Sequence, residues 1–191
     1  MYAINWNGRN RLWTDLMPDR RKLLVSRSFR HPHTGTLKVG SRIIFCTLGP
    51  TGIVRRKREG DGATPAGVWP LRCLYYRADR VPRPRTGLPV HPIGPVDGWC
   101  DEPSDRFYNR PVTLPYPASA ERLMRDDHLY DLLVVLGHND APVRRGHGSC
   151  VFFHLMDPDR GPTAGCIAVA KDDMIALLQG CSTATSMVVA G

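Results

Sequence analysis

The sequence contains no long apolar run. No stretch approaches the ~20 consecutive apolar residues that a membrane-spanning helix needs. The start of the chain, MYAINWNGRNRLWTDL, also lacks the ~7 to 15 residue apolar segment of a signal peptide. We therefore predict no membrane span and no visible signal peptide. If such a chain is exported, it is a mature form or it uses a route that the sequence does not show.

The cysteines lack the spacing of metal or redox motifs. No Cys-x-x-Cys pair is present, which argues against a zinc ribbon and against a thioredoxin-like motif. Six cysteines in 191 residues are also too few for a disulfide scaffold. They are Cys46, Cys73, Cys100, Cys150, Cys166 and Cys181. The redox compartment stays open, because an even number permits pairing whereas a nucleophile among them would leave an odd number.

The chain has an excess of positive charge. Its formal net charge of +8 favours an anionic partner, which can be nucleic acid, a membrane surface or a polymer that carries carboxylates. The basic clusters at 19–22, 54–59 and 142–147 are interrupted by apolar, glycine or acidic residues, which is more typical of solvated loops than of a nucleic-acid stripe. The aromatic residues do not alternate with basic ones as a single-strand stacking platform requires. A basic polyanion-binding β module is the alternative from another functional class.

Glycine and proline punctuate short segments rich in valine, isoleucine, threonine and aromatic residues. This pattern predicts one mainly β domain over residues 1–191, in which 1–20 is a possible N-terminal extension. The segments predicted as strands are 22–27, 36–49 with a hairpin turn at 39–41, 68–77, 131–138, 150–155 and 185–190.

Two segments favour short helices. The first is PASAERLMRDD, residues 117–127, where Ser119 can cap the first turn. The second is KDDMIALLQG, residues 171–180, where Met174, Leu177 and Leu178 share one face and Gly180 suits the end of a helix.

The segment VFFHLMDPDRGPTAGCIAVA, residues 151–170, combines a thiol with an imidazole. A thiol attacks a carbonyl as a thiolate, and a free cysteine with a pKa near ~8.5 needs a base for that step. His154 lies on a predicted strand, where alternation places Phe152 and His154 on one face and Phe153 on the other. Cys166 and His154 are therefore candidates for nucleophile and base.

The small residues before Cys166 predict a close backbone approach. The loop PTAG can direct the amides of Ala164, Gly165 and Cys166 toward one point, where they would form an oxyanion hole. The segment then supplies a nucleophile, a base and an electrophilic stabiliser, the three roles that acyl transfer requires.

Two other interpretations of this segment stay open. Cys166 can be an inert buried residue at the start of a strand, and His154 a core residue between Phe153 and Leu155. A zinc site is the other, although the spacings match no familiar pattern. Its candidate ligands are His138, His147, Cys150, His154 and Cys166.

Three blocks resemble one enzyme family. HLMDPDRGPTAGCIAV resembles the active-site signature of the YkuD-type L,D-transpeptidases, a strand histidine followed by a Ser/Thr-x-Gly-Cys loop. KREGDGATPAGVWPL at 57–71 resembles the upstream block of that family. GWCDEPSDRFYNRPVTLP at 98–115 resembles its small cell-wall branch, with Tyr108 and Asn109 as the aromatic-Asn pair. The blocks follow the family's order over residues 36–190.

The resemblance implies a YkuD-like β-sandwich or barrel and a set of roles. Cys166 would be the nucleophile, His154 its base, oriented in part by a backbone carbonyl, and Gly165 part of the oxyanion hole. The residues expected near the substrate are His138, Asn139, Ser149, Thr163, Ala164, Tyr108 and Asn109. No metal, no organic cofactor and no nucleic-acid partner is implied.

The implied reaction takes place on peptidoglycan. Such enzymes cleave an amide of a stem peptide, hold the acyl part on cysteine and pass it to the side-chain amine of a diaminopimelate on another strand. This implies a periplasmic or cell-wall-facing location. Carboxypeptidase, endopeptidase and lipoprotein-releasing activities share the acyl-enzyme and stay open.

One departure from the family pattern concerns the residues that bind the donor stem peptide, the peptide whose acyl part is transferred. The better-known branch has Ser-His-Gly-Cys followed by an apolar residue and arginine, whereas this chain has Thr-Ala-Gly-Cys-Ile-Ala at 163–168. His138, Arg144 and Arg145 lie in a segment that can substitute. Both 3-3 links, from donors cut after the third residue, and 1-3 links, from donors cut after the first, therefore remain open.

Overall fold

The fold is organised around one large β-sheet. The computed structural model describes residues 22–191, which form fourteen strands and one helix. The predicted extension at 1–20 lies outside the described residues. The strands are β1 (Lys22–Arg27), β2 (Thr34–Val39), β3 (Arg42–Thr47), β4 (Ile53–Val54), β5 (Thr64–Pro65), β6 (Gly67–Tyr76), β7 (Val90–Pro92), β8 (Asp97–Cys100), β9 (Pro111–Thr113), β10 (Ala120–Arg122), β11 (Leu132–Leu136), β12 (Phe152–Leu155), β13 (Ile167–Val169) and β14 (Ser186–Val189), and the helix is α1 (Lys171–Leu178).

The large sheet closes on itself. Its strand order is β11-β12-β13-β3-β2-β1-β14-β6-β7, and β11 also pairs with β6. The strands from β11 round to β6 therefore form a closed ring, to which β7 is added. Strand β6 is ten residues long, so its first half can pair with β14 and its second half with β11 and β7. The mainly β sandwich or barrel architecture predicted from the sequence is confirmed.

The hairpin predicted near residue 40 is also confirmed. Strands β2 and β3 pair antiparallel from Val39–Arg42 outward, and Gly40 takes a positive φ of 56° in the turn. Glycine adopts such a backbone conformation at little cost, because it has no Cβ. Each of the other five predicted segments overlaps one of the strands β1, β6, β11, β12 and β14, and only β6 begins outside its segment, one residue earlier at Gly67.

The alternation along β12 separates two apolar clusters. Phe153 is fully buried in the main core with Leu23, whereas Phe152 packs in a second cluster with Trp99 and Cys166. His154 lies two residues after Phe152, on the face of the second cluster, as the sequence predicts. Burial on both faces explains why this strand shows no alternation of polar and apolar residues.

The helix predicted at 171–180 is confirmed as α1. Met174, Leu177 and Leu178 are its buried residues, as the periodicity predicts. Asp173 in its first turn accepts a hydrogen bond from Arg42 at 2.5 Å, which ties the helix to the hairpin.

The helix predicted at 117–127 is wrong. Residues 120–122 form β10, which pairs antiparallel with β8 and places Glu121 opposite Trp99. Ser119 does not cap a helix there, and its carbonyl accepts a hydrogen bond from the Asp101 amide at 3.2 Å. Pairing with an available strand edge outweighs a weak helix propensity, because propensity is a small term against tertiary hydrogen bonds and burial. The resulting small sheet, β10-β8-β9, forms one wall of the site described next.

Candidate active site

Cys166, His154 and Gly165 line one cavity of about 270 Å³. His154 comes from β12, and Cys166 directly precedes β13. The two strands pair in parallel, with His154 opposite Ala168. The backbone ladder therefore fixes the position of the thiol relative to the imidazole. The predicted substrate residues Ser149, Thr163 and Ala164 line the same cavity.

The His154 ring is held in one orientation by the backbone. Its Nδ1 lies 2.8 Å from the carbonyl oxygen of Leu155. Since a carbonyl can only accept, Nδ1 carries the proton in the neutral ring, and Nε2 is left as the basic nitrogen. Burial lowers the pKa of His154 to about 4, so the ring is neutral at physiological pH. The Tyr130 ring packs edge-on against it at 5.2 Å between centroids.

The Cys166 thiol is buried and held by two backbone groups. Its Sγ accepts a hydrogen bond from the Phe152 amide at 3.3 Å and donates one to the Cys150 carbonyl at 3.1 Å. Burial raises the pKa of this thiol to about 12, and the nearby Glu121 carboxylate adds to the increase. The resting pair is thus a neutral thiol and a neutral imidazole, and attack by this thiol on a carbonyl would require a proton transfer.

The loop before Cys166 requires glycine at position 165. Gly165 has a φ of +129°, and a Cβ placed on it would lie 2.6 Å from the carbonyl oxygen of Ala63. Thr163 fixes the same loop, because its hydroxyl donates to the Cys166 carbonyl at 2.7 Å and accepts from the Gly165 amide at 3.2 Å. Ala164 is exposed at the tip of the loop.

A lysine that sequence reasoning had assigned to a solvated basic cluster borders this loop. Lys57 is only 8% exposed, and its Nζ would lie 3.5 Å from a Cβ on Gly165. Asp61 lies in the Gly-Asp-Gly sequence at 60–62, which we call the GDG block, and it forms an ion pair with Lys57. Burial opposes ionisation of Asp61, but hydrogen bonds from Lys57, Arg58 and Ala63 lower its pKa overall. The block thus holds a cation beside the loop that carries Cys166.

Charged residues from the wrongly predicted helix also reach the cavity. Strand β10 brings Glu121 into the lining, and Arg125 follows it. Glu121 accepts a hydrogen bond from the Tyr130 hydroxyl at 2.5 Å and lies 3.7 Å from Arg125. Burial raises the pKa of Glu121. The pairing of β10 with β8 places Glu121 and Arg125 at the cavity. A helix at 117–127 gives no reason to expect them there.

Glu59 joins two of the predicted substrate residues. Its carboxylate accepts a hydrogen bond from the Tyr108 hydroxyl and another from the Ser149 hydroxyl at 2.7 Å. Burial raises the pKa of Tyr108, and the hydrogen bond to Glu59 adds to the effect. Tyr108 is almost fully buried, whereas Ser149 and Glu59 line the cavity.

The three remaining candidates, Asn109, Asn139 and His138, lie in or beside the adjoining loop at 139–148. The Asn109 amide donates to the carbonyls of His138 at 3.1 Å and Asn139 at 2.9 Å, while its oxygen accepts from Trp99 at 3.0 Å. The Asn139 amide donates to the carbonyls of Arg144 and Gly148. Both asparagine side chains hydrogen-bond to the scaffold, and a direct contact with substrate stays a prediction.

The candidate zinc ligands do not form a metal site. Across residues 22–191, no three His, Cys, Asp or Glu side chains are arranged to hold a metal ion. His138 instead places Nε2 3.0 Å from the His147 carbonyl.

No helix within the described residues is long and apolar enough to span a membrane.

The fold and the cavity define a class of protein, a closed β-sheet domain with a buried thiol and an oriented imidazole in one pocket. The profile of the YkuD family, described as the L,D-transpeptidase catalytic domain, matches residues 23–189. The chain belongs to this family, as the three sequence blocks predict. The family acts on peptidoglycan and faces the cell wall. Comparisons with curated proteins and with solved structures gave no match.

Proposed function

We propose that the protein is a cysteine acyltransferase that forms L,D cross-links between peptidoglycan stem peptides through a thioester on Cys166. One observation carries the proposal. The Leu155 carbonyl fixes the proton on Nδ1 of His154, which leaves Nε2 as a base in the cavity that Cys166 lines.

Acylation begins with attack of the Cys166 Sγ on the carbonyl carbon of a stem-peptide amide. As the C–S bond forms, the thiol proton passes to His154 Nε2, because neither group is ionised beforehand. The tetrahedral intermediate then collapses, the C–N bond breaks and the leaving amine takes the proton from the imidazolium. The products of this step are the thioester and a free amine.

The oxyanion of the intermediate needs stabilisation beside Cys166. Backbone amides of the 164–166 loop are the candidate donors, and the Lys57 ammonium lies against the same loop. The Gly165 amide donates to Thr163 in the resting state, so binding of substrate would have to redirect it. The charge of Lys57 favours the thiolate and so lowers the pKa of Cys166, which opposes the effect of burial.

Transfer completes the cycle. The side-chain amine of a diaminopimelate attacks the thioester, His154 Nε2 accepts its proton, and collapse of the second intermediate returns a proton to the departing thiolate. Water in place of the amine would give a carboxypeptidase, an endopeptidase or a lipoprotein-releasing enzyme from the same thioester. Asp101 also lines the cavity, and its Oδ1 has no hydrogen-bond partner among the described residues, which suits an incoming amine and supports transfer. Both 3-3 and 1-3 cross-links are compatible with this chemistry, and the site of action would be the periplasm or the cell wall.

The test is intact-protein mass spectrometry after incubation with a carbapenem, an acylating mimic of the stem peptide. We expect a single adduct on the wild type and none on Cys166→Ala. The matched control is Cys150→Ala, which removes the neighbouring thiol of the same cavity and should keep the adduct. An adduct that survives Cys166→Ala would reject Cys166 as the nucleophile, and muropeptide products would then separate transfer from hydrolysis.

A further inference from the structure

A second and larger cavity adjoins the catalytic one. Its volume is about 950 Å³, and Lys57 and Glu59 line both cavities. The segment 55–59 forms one side and the loop 139–147 forms the other, while the half-buried Trp69 supplies an aromatic surface. We call this cavity the basic groove.

The basic groove carries uncompensated positive charge. Arg56, Arg58, Arg144 and Arg145 line it and are exposed, and none of their side chains has a carboxylate partner among residues 22–191. Glu59 is the only acidic residue in the lining. Its carboxylate already accepts hydrogen bonds from Tyr108 and Ser149. The four guanidinium groups outnumber this single carboxylate, so the lining keeps an excess of positive charge.

The two sides of the basic groove are tied together. The Glu59 amide donates to the Gly146 carbonyl at 2.9 Å. Asn139 closes the opposite loop, because its oxygen accepts from the Arg144 amide at 2.8 Å and its amide donates to the Arg144 carbonyl at 2.9 Å. The backbone that carries Arg144 is thus held in place beside the 55–59 segment. Preorganised loops lose less conformational entropy on binding than free ones.

A buried polar atom in the wall has no protein partner. His138 is 8% exposed and packs edge-on against Trp69 at 4.7 Å between ring centroids. Its Nε2 lies 3.0 Å from the His147 carbonyl and so carries the proton, while its Nδ1 has no hydrogen-bond partner among the described residues. Buried acceptors are normally paired. This nitrogen can accept from a peptide N–H of a bound ligand, whereas the ligand's carboxylates would have to pair with the arginines.

We infer that the basic groove binds the free carboxylates of a peptidoglycan stem peptide whose reacting part extends past Lys57 to Cys166. The inference rests on the proposed function. Planar guanidinium groups match carboxylates and bind them in a bidentate manner. Single exposed ion pairs contribute little, but four arginines around one concave surface act on the same ligand. Lys57 and Glu59 line both cavities, so one peptide can extend from the basic groove to Cys166.

The experiment measures binding without turnover. Calorimetry would follow the affinity of the full chain with Cys166→Ala for a synthetic stem tripeptide at low ionic strength. In that background we compare Arg144→Ser/Arg145→Ser with Arg83→Ser/Arg85→Ser. Arg83 and Arg85 are exposed, line neither cavity and give the same change of net charge. We expect the groove variant to bind about tenfold more weakly and the control to stay within about twofold, since steering by net charge alone affects both equally.

Three outcomes decide the inference. An equal effect in the two double variants would overturn it, because the groove would then act only through net charge. A single-stranded oligonucleotide that binds more tightly than the tripeptide, with an affinity that falls in the groove variant, would overturn it in favour of a nucleic-acid surface. A loss specific to the tripeptide and the groove supports it. The absence of a thioester adduct on the wild type would defeat the proposed function alone, and the affinity comparison would still decide what the groove binds.

Discussion

The ammonium of Lys57 lies against Gly165, the residue next to Cys166, and the Asp61 carboxylate holds it there. This places a buried positive charge beside the loop that carries Cys166. The GDG block is therefore far from the cysteine loop in sequence but adjacent to it in space.

Replacing Lys57 by methionine should slow acylation of Cys166 by about 10 to 10³-fold, because the charge that favours the anionic state is removed. The measurement is the rate of carbapenem adduct formation as a function of pH. Lys38→Met, at an exposed position on β2, is the matched control and should acylate at the wild-type rate. Equal rates for Lys57→Met and the wild type would rule out an electrostatic role.

Replacing His154 by glutamine should slow acylation by about 10² to 10⁴-fold, the range for a positioned general base. The amide can still hydrogen-bond but cannot accept the thiol proton. Stopped-flow acylation rates and thermal unfolding should be measured on the same variant. If the variant is less stable but acylates Cys166 at the wild-type rate, His154 is a core residue and not the base.

Stability should fall as the pH is lowered through the titration of His154. Burial lowers the pKa of His154 to about 4 in the folded state, whereas an unfolded histidine titrates near ~6.5. Between these values the unfolded chain binds the additional proton, so the contribution is complete above the unfolded pKa and is lost on acidification. It amounts to at most about 3 kcal/mol. Urea unfolding at neutral and at mildly acidic pH should show a smaller difference for His154→Gln than for the wild type, and equal differences would contradict the burial of a neutral ring.

Replacing Gly165 by alanine should disrupt the cysteine loop. The added Cβ would meet the Ala63 carbonyl at 2.6 Å, and the φ of +129° is unfavourable for alanine. Such backbone strain costs about 1 to 3 kcal/mol, so the free energy of unfolding and the acylation rate should both fall. Gly161→Ala is the control, because a Cβ there meets nothing within 4 Å and its φ lies outside the positive range. Equal stability of the two variants would show that the loop accommodates a side chain.

The features predicted correctly depend on local pattern. The β2–β3 hairpin follows from Gly40 between two β-rich segments, and the opposite faces of Phe153 and His154 follow from strand alternation. The orientation of His154 by a backbone carbonyl was implied by the family blocks and is present at Leu155.

The features that were missed depend on contacts between distant segments. The helix at 117–127 was predicted with Ser119 as its cap, but β8 offers a strand edge and β10 pairs with it. Glu121 and Arg125 then reach the cavity, which no local pattern predicts. Lys57 was interpreted as part of a solvated cluster. Its burial depends on contacts with Asp61 and with the cysteine loop, which the local sequence does not reveal. Periodicity reports the preference of one segment and contains no information on which segments meet.

The parallel pairing of β12 with β13 holds His154 on one strand and Cys166 directly before its neighbour, and the chain between them makes its crossover outside that ladder. The length of the connection at 157–161, between Met156, which bonds to β13, and the cavity-lining Pro162 and Thr163, is therefore independent of the positions of Cys166 and His154. We expect this connection to accept insertions that would change which substrates reach the cavity without moving Cys166 from His154. New specificities could arise here by lengthening a loop while the chemistry stays constant.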